Sequence, residues 1–132
     1  MPKTIKVVGT DVFKDCSKLT SIVLQDGCEC VGERWFSNTG IERIIIPQSV
    51  KTLGKAAFKN CHNLASVTLN EGLESIGDEC FSGTLIAIIT IPKSVRTIGS
   101  SAFYNCKKLA LATLQKGLEG IGELCFKETA IK

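Results

Sequence analysis

The chain has 132 residues, 44% of them hydrophobic, and 16 Lys and Arg against 13 Asp and Glu give a net charge of +3. That length suits a single domain, and the apolar content excludes an intrinsically disordered segment. The positive charges form no basic run, and no stretch approaches the ~20 apolar residues of a membrane span, so neither nucleic-acid binding nor a transmembrane helix is expected.

The start, Met1-Pro2-Lys3-Thr4-Ile5-Lys6, lacks the apolar core of a signal peptide. It aligns instead with Ile91-Pro92-Lys93-Ser94-Val95-Arg96, so a repeating unit begins at the first residue. The first landmark is then Val8-Gly9 followed by Phe13, and the same arrangement returns through the chain. All six Phe residues take part: Phe13, Phe36, Phe58, Phe81, Phe103 and Phe126, at alternating steps of 23 and 22. Each has a Gly four residues earlier (Gly9, Gly32, Gly54, Gly77, Gly99, Gly122), preceded by Val, Leu or Ile. Self-similarity at a fixed period in the twenties predicts a solenoid, in which each coil buries its apolar face against its neighbours.

After each Phe the longer coils read Cys16, Leu19, Ile22, Leu24; Cys61, Leu64, Val67, Leu69; and Cys106, Leu109, Ala112, Leu114. The shorter ones read Thr39, Ile41, Ile44, Ile46 and Thr84, Ile86, Ile89, Ile91, and the last copy stops within Thr129, Ala130, Ile131. Segments such as Ser66-Val67-Thr68-Leu69 alternate in and out with the period of a strand. Stacked one per coil, they predict a parallel sheet. A second extended piece, for example Leu73-Glu74-Ser75-Ile76, precedes each Gly. The four residues from Gly to Phe are too few for a full helix and read as a single helical or 3₁₀ turn. The fold class is therefore a parallel β solenoid of about six coils, forming one domain over residues 1–132 without evident end caps.

Corners and charges alternate with a 45-residue period. Pro2, Pro47 and Pro92 occupy one corner, and Gly27, Gly72 and Gly117 the matching corner of the other coils. One exposed column reads Lys6, Glu29, Lys51, Glu74, Arg96, Glu119, so the sign changes at every coil. With neighbouring strands about 4.8 Å apart, each basic residue should lie between acidic ones, which disfavours a slip by one coil.

These residues resemble the BspA-type leucine-rich repeat family. Its pattern, roughly C-x-x-L-x-x-[IV]-x-[IL]-P-x-x-[LV]-x-x-I-G-x-x-A-F, is matched closely by Cys61 through Phe81 and by Thr84 through Phe103. The resemblance covers essentially the whole chain. It implies a curved right-handed solenoid with a parallel sheet on its concave side, and adhesion or protein binding without catalysis. It also implies a microbial surface or secreted location, whereas an odd number of cysteines, seven, fits free thiols and a reducing compartment.

No residue cluster calls for catalysis, a cofactor or a metal. Cys16, Cys61 and Cys106 recur every second coil, roughly 10 Å apart by strand spacing, too far for a disulfide. Cys80 and Cys125 share a column with Val12, Ala57 and Ala102, which casts them as small hydrophobes. Only Cys30 is expected to point outward, and Cys28-x-Cys30 lacks a second ligand pair. His62, the only histidine, stands at a corner and is expected in solvent. Trp35 is the one oversized side chain in the small-residue column, and partial exposure is expected for it.

The outward positions of the first strand are more informative. One column reads Ser21, Arg43, Ser66, Ile88, Leu111 and the next Val23, Ile45, Thr68, Thr90, Thr113. Polar residues yield to apolar ones toward the C-terminal end, where Leu85, Ala87 and Ala110 extend the change. Such a patch marks an interaction site. The candidate site is accordingly Arg43, Ile45, Ser66, Thr68, Ile88, Thr90, Leu111 and Thr113, facing a protein partner. The alternative is a structural spacer or a self-associating segment, a homodimer through the open ends or through the apolar patch.

Overall fold

The computed structural model describes residues 13–20, 22, 24 and 27–131. Nine short strands follow one another: β1 Cys30–Val31, β2 Arg43–Ile45, β3 Thr52–Leu53, β4 Ser66–Thr68, β5 Ser75–Ile76, β6 Ile88–Thr90, β7 Thr97–Ile98, β8 Leu111–Thr113 and β9 Gly120–Ile121. They alternate between two faces. The odd-numbered strands form one five-stranded parallel sheet in the order β1-β3-β5-β7-β9. The even-numbered strands form two parallel pairs, β2-β4 and β6-β8. Partners lie 22 or 23 residues apart, as in Cys30 with Thr52 and Arg43 with Ser66. The chain is therefore a parallel β solenoid. Four coils carry both strands among the described residues, where six repeats were counted in the sequence; the first coil falls largely outside those residues and the last stops after its Phe turn.

Alternation builds the strands as expected. In β2 and β6 the central Ile44 and Ile89 are buried while Arg43, Ile45, Ile88 and Thr90 are exposed. Val31, Leu53, Ile76 and Ile98 turn inward from the other sheet. Between the faces runs the Phe column. Its six rings stack with centroids 5.3 to 5.5 Å apart and interplanar angles of 2° to 14°. Phe36, Phe58, Phe81 and Phe103 are fully buried, and the end rings Phe13 and Phe126 partly so.

The Phe turn is not helical. No helix occurs among the described residues, and the expected helical or 3₁₀ turn is replaced by three linked β-turns. In the coil of Phe81, the amides of Cys80, Ser82 and Thr84 donate to the carbonyls of Gly77, Glu79 and Phe81. The intervening amides of Glu79, Phe81 and Gly83 donate instead to Ser100, Ala102 and Tyr104 of the next coil. Alternate N–H groups thus close the turn and join the coils, so every donor has a partner. This geometry requires left-handed backbone two residues before and two after Phe: Glu79 has φ 57° and Gly83 φ 78°. The same pair recurs as Arg34 and Asn38, Ala56 and Asn60, and Ser101 and Asn105. A helix needs an unbroken right-handed run, so these turns exclude one.

Corners differ between coils as the sequence indicated. Gly72, at φ 114°, donates its N–H to Ser94 Oγ of the following Pro corner at 3.0 Å, and Gly27 does the same to Ser49 at 3.1 Å. The column glycines serve close approach of coils: a Cβ on Gly77 would lie 2.7 Å from Gly54 C and 2.8 Å from Lys55 N.

The charge column is aligned as expected from Glu29 onward, with Lys6 outside the described residues. Lys51 N donates to Glu29 O, Glu74 N to Lys51 O, Arg96 N to Glu74 O and Glu119 N to Arg96 O. Side chains meet within ion-pair distance at one step of that column among the described residues, Arg96 Nη1 to Glu119 Oε2 at 2.6 Å.

Candidate protein-interaction face

The register of the even strands decides which candidate residues meet. Arg43 lies beside Ser66 and Ile45 beside Thr68. Ile88 lies beside Leu111 and Thr90 beside Thr113. All eight side chains are exposed, on one face of the solenoid. Ser21 and Val23, which head the same columns, lie outside the described residues. The face is divided in two, because β4 and β6 are neighbours without a hydrogen-bonded ladder between them. Arg43, Ile45, Ser66 and Thr68 make one block. Ile88, Thr90, Leu111 and Thr113 make the other.

The second block holds the apolar patch. Ile88 is 63% exposed and Leu111 54%, side by side, with Leu85 at 41% and the exposed Ala87 and Ala110 adjoining in sequence. Ile45, 65% exposed, stands in the first block beside Thr68. The end of the chain adds exposed apolar residues absent from the sequence-derived site: Ile121, Leu124 and Ile131. Two of these columns are buried in earlier coils, as Ile98 is for Ile121 and Ile86 for Ile131. The signal that could have identified them is their place in the last of the six repeats.

Other side chains bear on chemistry. All seven cysteines are free thiols. Five are buried: Cys28, Cys61, Cys80, Cys106 and Cys125. Desolvation raises the pKa of each, outweighing hydrogen bonds that act in the opposite sense, and holds Cys125 at about 11. Thiols kept protonated in this way are poor nucleophiles and poor metal ligands. Two of them belong to an interior ladder: Cys61 Sγ donates to Phe36 O at 2.9 Å, beside Thr39 Oγ1, which donates to the same carbonyl. Cys106 repeats this on Phe81 O beside Thr84. Cys16 departs from its column and is exposed. Cys30, on the opposite side of β1 from the buried Val31, is half-buried.

Trp35 corrects another expectation. It is fully buried, packed edge-on against Phe36 at 6.1 Å and 75°. Gly32 makes this possible, because a Cβ there would fall 2.1 Å from the indole Nε1. His62 is exposed at its corner. Among the described residues no group of three or more His, Cys, Asp or Glu side chains is placed to hold a metal. No helix among them is long and apolar enough to cross a membrane.

Comparison with known proteins agrees with this geometry. The family model described as "BspA type Leucine rich repeat region" matches in six copies, over residues 1–110 and 32–132. Among solved structures, the pneumococcal vaccine antigen PcpA is 30% identical with a TM-score of 0.71, over 77% of this chain and 26% of that one. The Treponema pallidum leucine-rich repeat protein TpLRR is 27% identical with a TM-score of 0.73, over 86% of this chain and 55% of that one. A leucine-rich cell surface protein of Faecalibacterium prausnitzii, 23% identical with a TM-score of 0.56 over 87% of this chain and 38% of that one, shares the fold. The chain thus spans about a quarter to a half of the length of the first two. No curated protein sequence matches it. With its repeats matched from end to end and its coils stacked in the same register, the chain belongs to the BspA-type leucine-rich repeat family.

Proposed function

We propose that this chain is a non-catalytic protein-binding module, of the adhesive kind, whose contact surface is the face carrying β2, β4, β6 and β8. The observation that carries the reading is the pairing of Ile88 with Leu111, adjacent in register and each more than half exposed. Two large aliphatic side chains held together in water by a rigid backbone are costly unless something covers them, and exposed apolar patches mark interaction sites. Thr90, Thr113, Ser66 and Thr68 flank them with hydroxyls able to donate and accept, and Arg43 adds a charge at one border. A central apolar anchor with a polar rim is the ordinary anatomy of a protein interface. The structural neighbour PcpA, a pneumococcal vaccine antigen, fits a surface role of this kind.

The test is the double substitution I88E/L111E. Unchanged and substituted chains are immobilised and incubated with proteins from the source cell and its surroundings. Proteins held by the first and lost from the second, with superimposable circular dichroism, support the reading. An identical retained set would move the contact surface elsewhere.

A second reading, a structural or self-associating segment, is favoured by the exposed apolar residues of the final coil. It predicts the same retained set for both chains, and contacts made through the ends.

A further inference from the structure

We propose that the block formed by β6 and β8 takes an acidic protein segment, with apolar side chains at its centre and carboxylates to either side. The inference rests on the reading of this face as a contact surface and adds the chemistry of what it contacts.

Charge is divided unevenly along the chain. Residues 29–79 carry seven acids and five bases. Residues 80–118 carry five bases, Lys93, Arg96, Lys107, Lys108 and Lys116, and no acid. That interval holds the whole of the β6–β8 block. The exposed Leu85, Ile88 and Leu111, with Leu114 at 41%, therefore share their stretch of chain with one sign of charge. In the other block the exposed Arg43 follows the exposed Glu42, so charge there is mixed.

The bases stand at the two ends of the strands. Lys107 and Lys108 come shortly before Leu111, the first residue of β8, and Lys116 shortly after Thr113, its last. Lys93 follows the end of β6 at Thr90. It lies on the corner next to that of Lys116, where a Cβ on Gly117 would fall 2.5 Å from Lys93 O. Lys93, Lys107, Lys108 and Lys116 are all exposed. Ion pairs among the described residues join Arg34 with Glu33, Lys59 with Glu79 and Arg96 with Glu119. The four lysines are in none of them. One acid reaches the border of the block: Glu71 Oε2 accepts from the backbone N–H of Lys93 at 3.3 Å.

Ammonium groups at both ends of an exposed aliphatic pair set two demands on one partner. Apolar surface must cover Ile88 and Leu111, and negative charge must lie beyond them at each end, since opposite charges steer association and like charges placed together are costly. A lipid headgroup surface supplies the charge, but interfacial anchoring draws on large apolar and aromatic side chains that reach past the basic ring. Ile88 and Leu111 stand on strands beside the outward Thr90 and Thr113, and no aromatic residue occurs in Leu85–Thr90 or Ala110–Leu114. A protein segment laid along the strands meets both demands.

The probes are three blocked peptides with one Leu-Val-Leu-Val centre, flanked on each side by glutamates, by glutamines or by lysines. Fluorescence anisotropy reads binding at low salt and again in about 1 M NaCl, where the screening length falls to about 3 Å. The unchanged chain should prefer the glutamate peptide to the glutamine one about tenfold, and lose that margin in high salt. K107E/K108E/K116E should reverse the order and capture the lysine peptide. I88S/L111S keeps every charge and should lose binding of the glutamate peptide. Circular dichroism checks that each variant folds. Equal affinity for the glutamate and glutamine peptides, or charge reversal without effect, would overturn the acidic partner and leave the contact face standing. Glutamate-peptide binding that survives I88S/L111S would be charge attraction alone, and would overturn both the proposal and the reading of the face. Binding to vesicles of phosphatidylserine and phosphatidylcholine, but to no peptide, would overturn it in favour of a membrane surface. Binding to none of these probes would also overturn it.

Discussion

The rings of Phe58 and Phe81 lie 5.3 Å apart at centroid with 2° between their planes. Each is enclosed by a further ring on its other side, Phe36 and Phe103. The column is thus a continuous aromatic axis running along the solenoid between its two strand faces, and it does for the repeat array what a central core does for a globular domain.

That axis makes the cost of truncation depend on position. Phe58→Ala removes a fully buried ring touching two others and should destabilise by ~3–5 kcal/mol. Phe126→Ala removes a half-covered ring with one ring neighbour, and should cost about half as much on the same area argument. Urea denaturation followed by circular dichroism reads both. Equal costs, or a cost under ~1 kcal/mol at Phe58, would show that the aromatic stack is not what joins the coils.

Glycine substitutions should separate close approach from mere flexibility. A Cβ on Gly77 meets the backbone of Gly54 and Lys55 at 2.7 and 2.8 Å, atoms that cannot yield without parting two coils. Gly77→Ala should therefore destabilise by ~1–3 kcal/mol. At Gly120 nothing lies within 4 Å and φ is not left-handed. Gly120→Ala should stabilise by ~0.4–1 kcal/mol, through loss of freedom in the unfolded chain. Thermal melts of the two single variants should shift in opposite directions.

The Phe and Gly columns were legible in the sequence because every coil imposes the same demand on the same position, so the residue type repeats. The charge column was legible for the same reason, although alignment fixes neighbours and not side-chain contact, and Arg96–Glu119 is the step of that column where the charges meet. The Phe turn was legible only in its second half. The left-handed position two residues after Phe holds Asp15, Asn38, Asn60, Gly83 and Asn105 in the first five coils, types that tolerate that conformation. The one two residues before Phe holds Arg34, Ala56, Glu79, Ser101 and Leu124, residues with nothing chemical in common. At that first position backbone hydrogen bonds to both sides, and not the residue type, accompany the conformation. Trp35 was misjudged because its column gave the size of the usual occupant, while the room for the indole comes from Gly32 three residues earlier. In the candidate face, alternation identified the outward residues Ile88 and Leu111. The missing ladder between β4 and β6 depends on three-dimensional spacing that no single strand encodes.

If backbone bonding imposes the left-handed turn, relieving it should stabilise the coil. Ser101 has φ 59°, a conformation that costs an L-residue ~1–2 kcal/mol and glycine almost nothing. Its amide donates to Glu123 O and its carbonyl accepts from Tyr104 N, bonds that a glycine keeps. Against this stands the greater freedom of glycine in the unfolded chain, ~0.5–1 kcal/mol. Ser101→Gly should yield a net gain of about 0.5–1 kcal/mol, seen as a higher urea midpoint. A loss of stability would mean that the serine side chain contributes more than its strained backbone costs.

The buried thiols make stability fall in alkali, and the sign follows from their environment. Burial raises the pKa of Cys28, Cys61, Cys80, Cys106 and Cys125 in the folded chain, with Cys125 at about 11, whereas an unfolded thiol titrates near ~8.5. Below that value both states hold the proton and the full stability is present. Above it the unfolded chain releases protons that the folded chain retains, so stability declines as pH rises toward the folded values. Within that window each such thiol contributes a slope of up to about 1.4 kcal/mol per pH unit. Lys and Tyr side chains titrate in the same range, so the informative comparison is with Cys80→Ala. Alanine already fills that column at Ala57 and Ala102, both fully buried, so the variant should match the unchanged chain closely at pH 7. Between pH 7 and 10.5 it should lose less stability, because one buried proton has been removed from the balance. Parallel pH profiles for the two chains would show that Cys80 is not held neutral by burial.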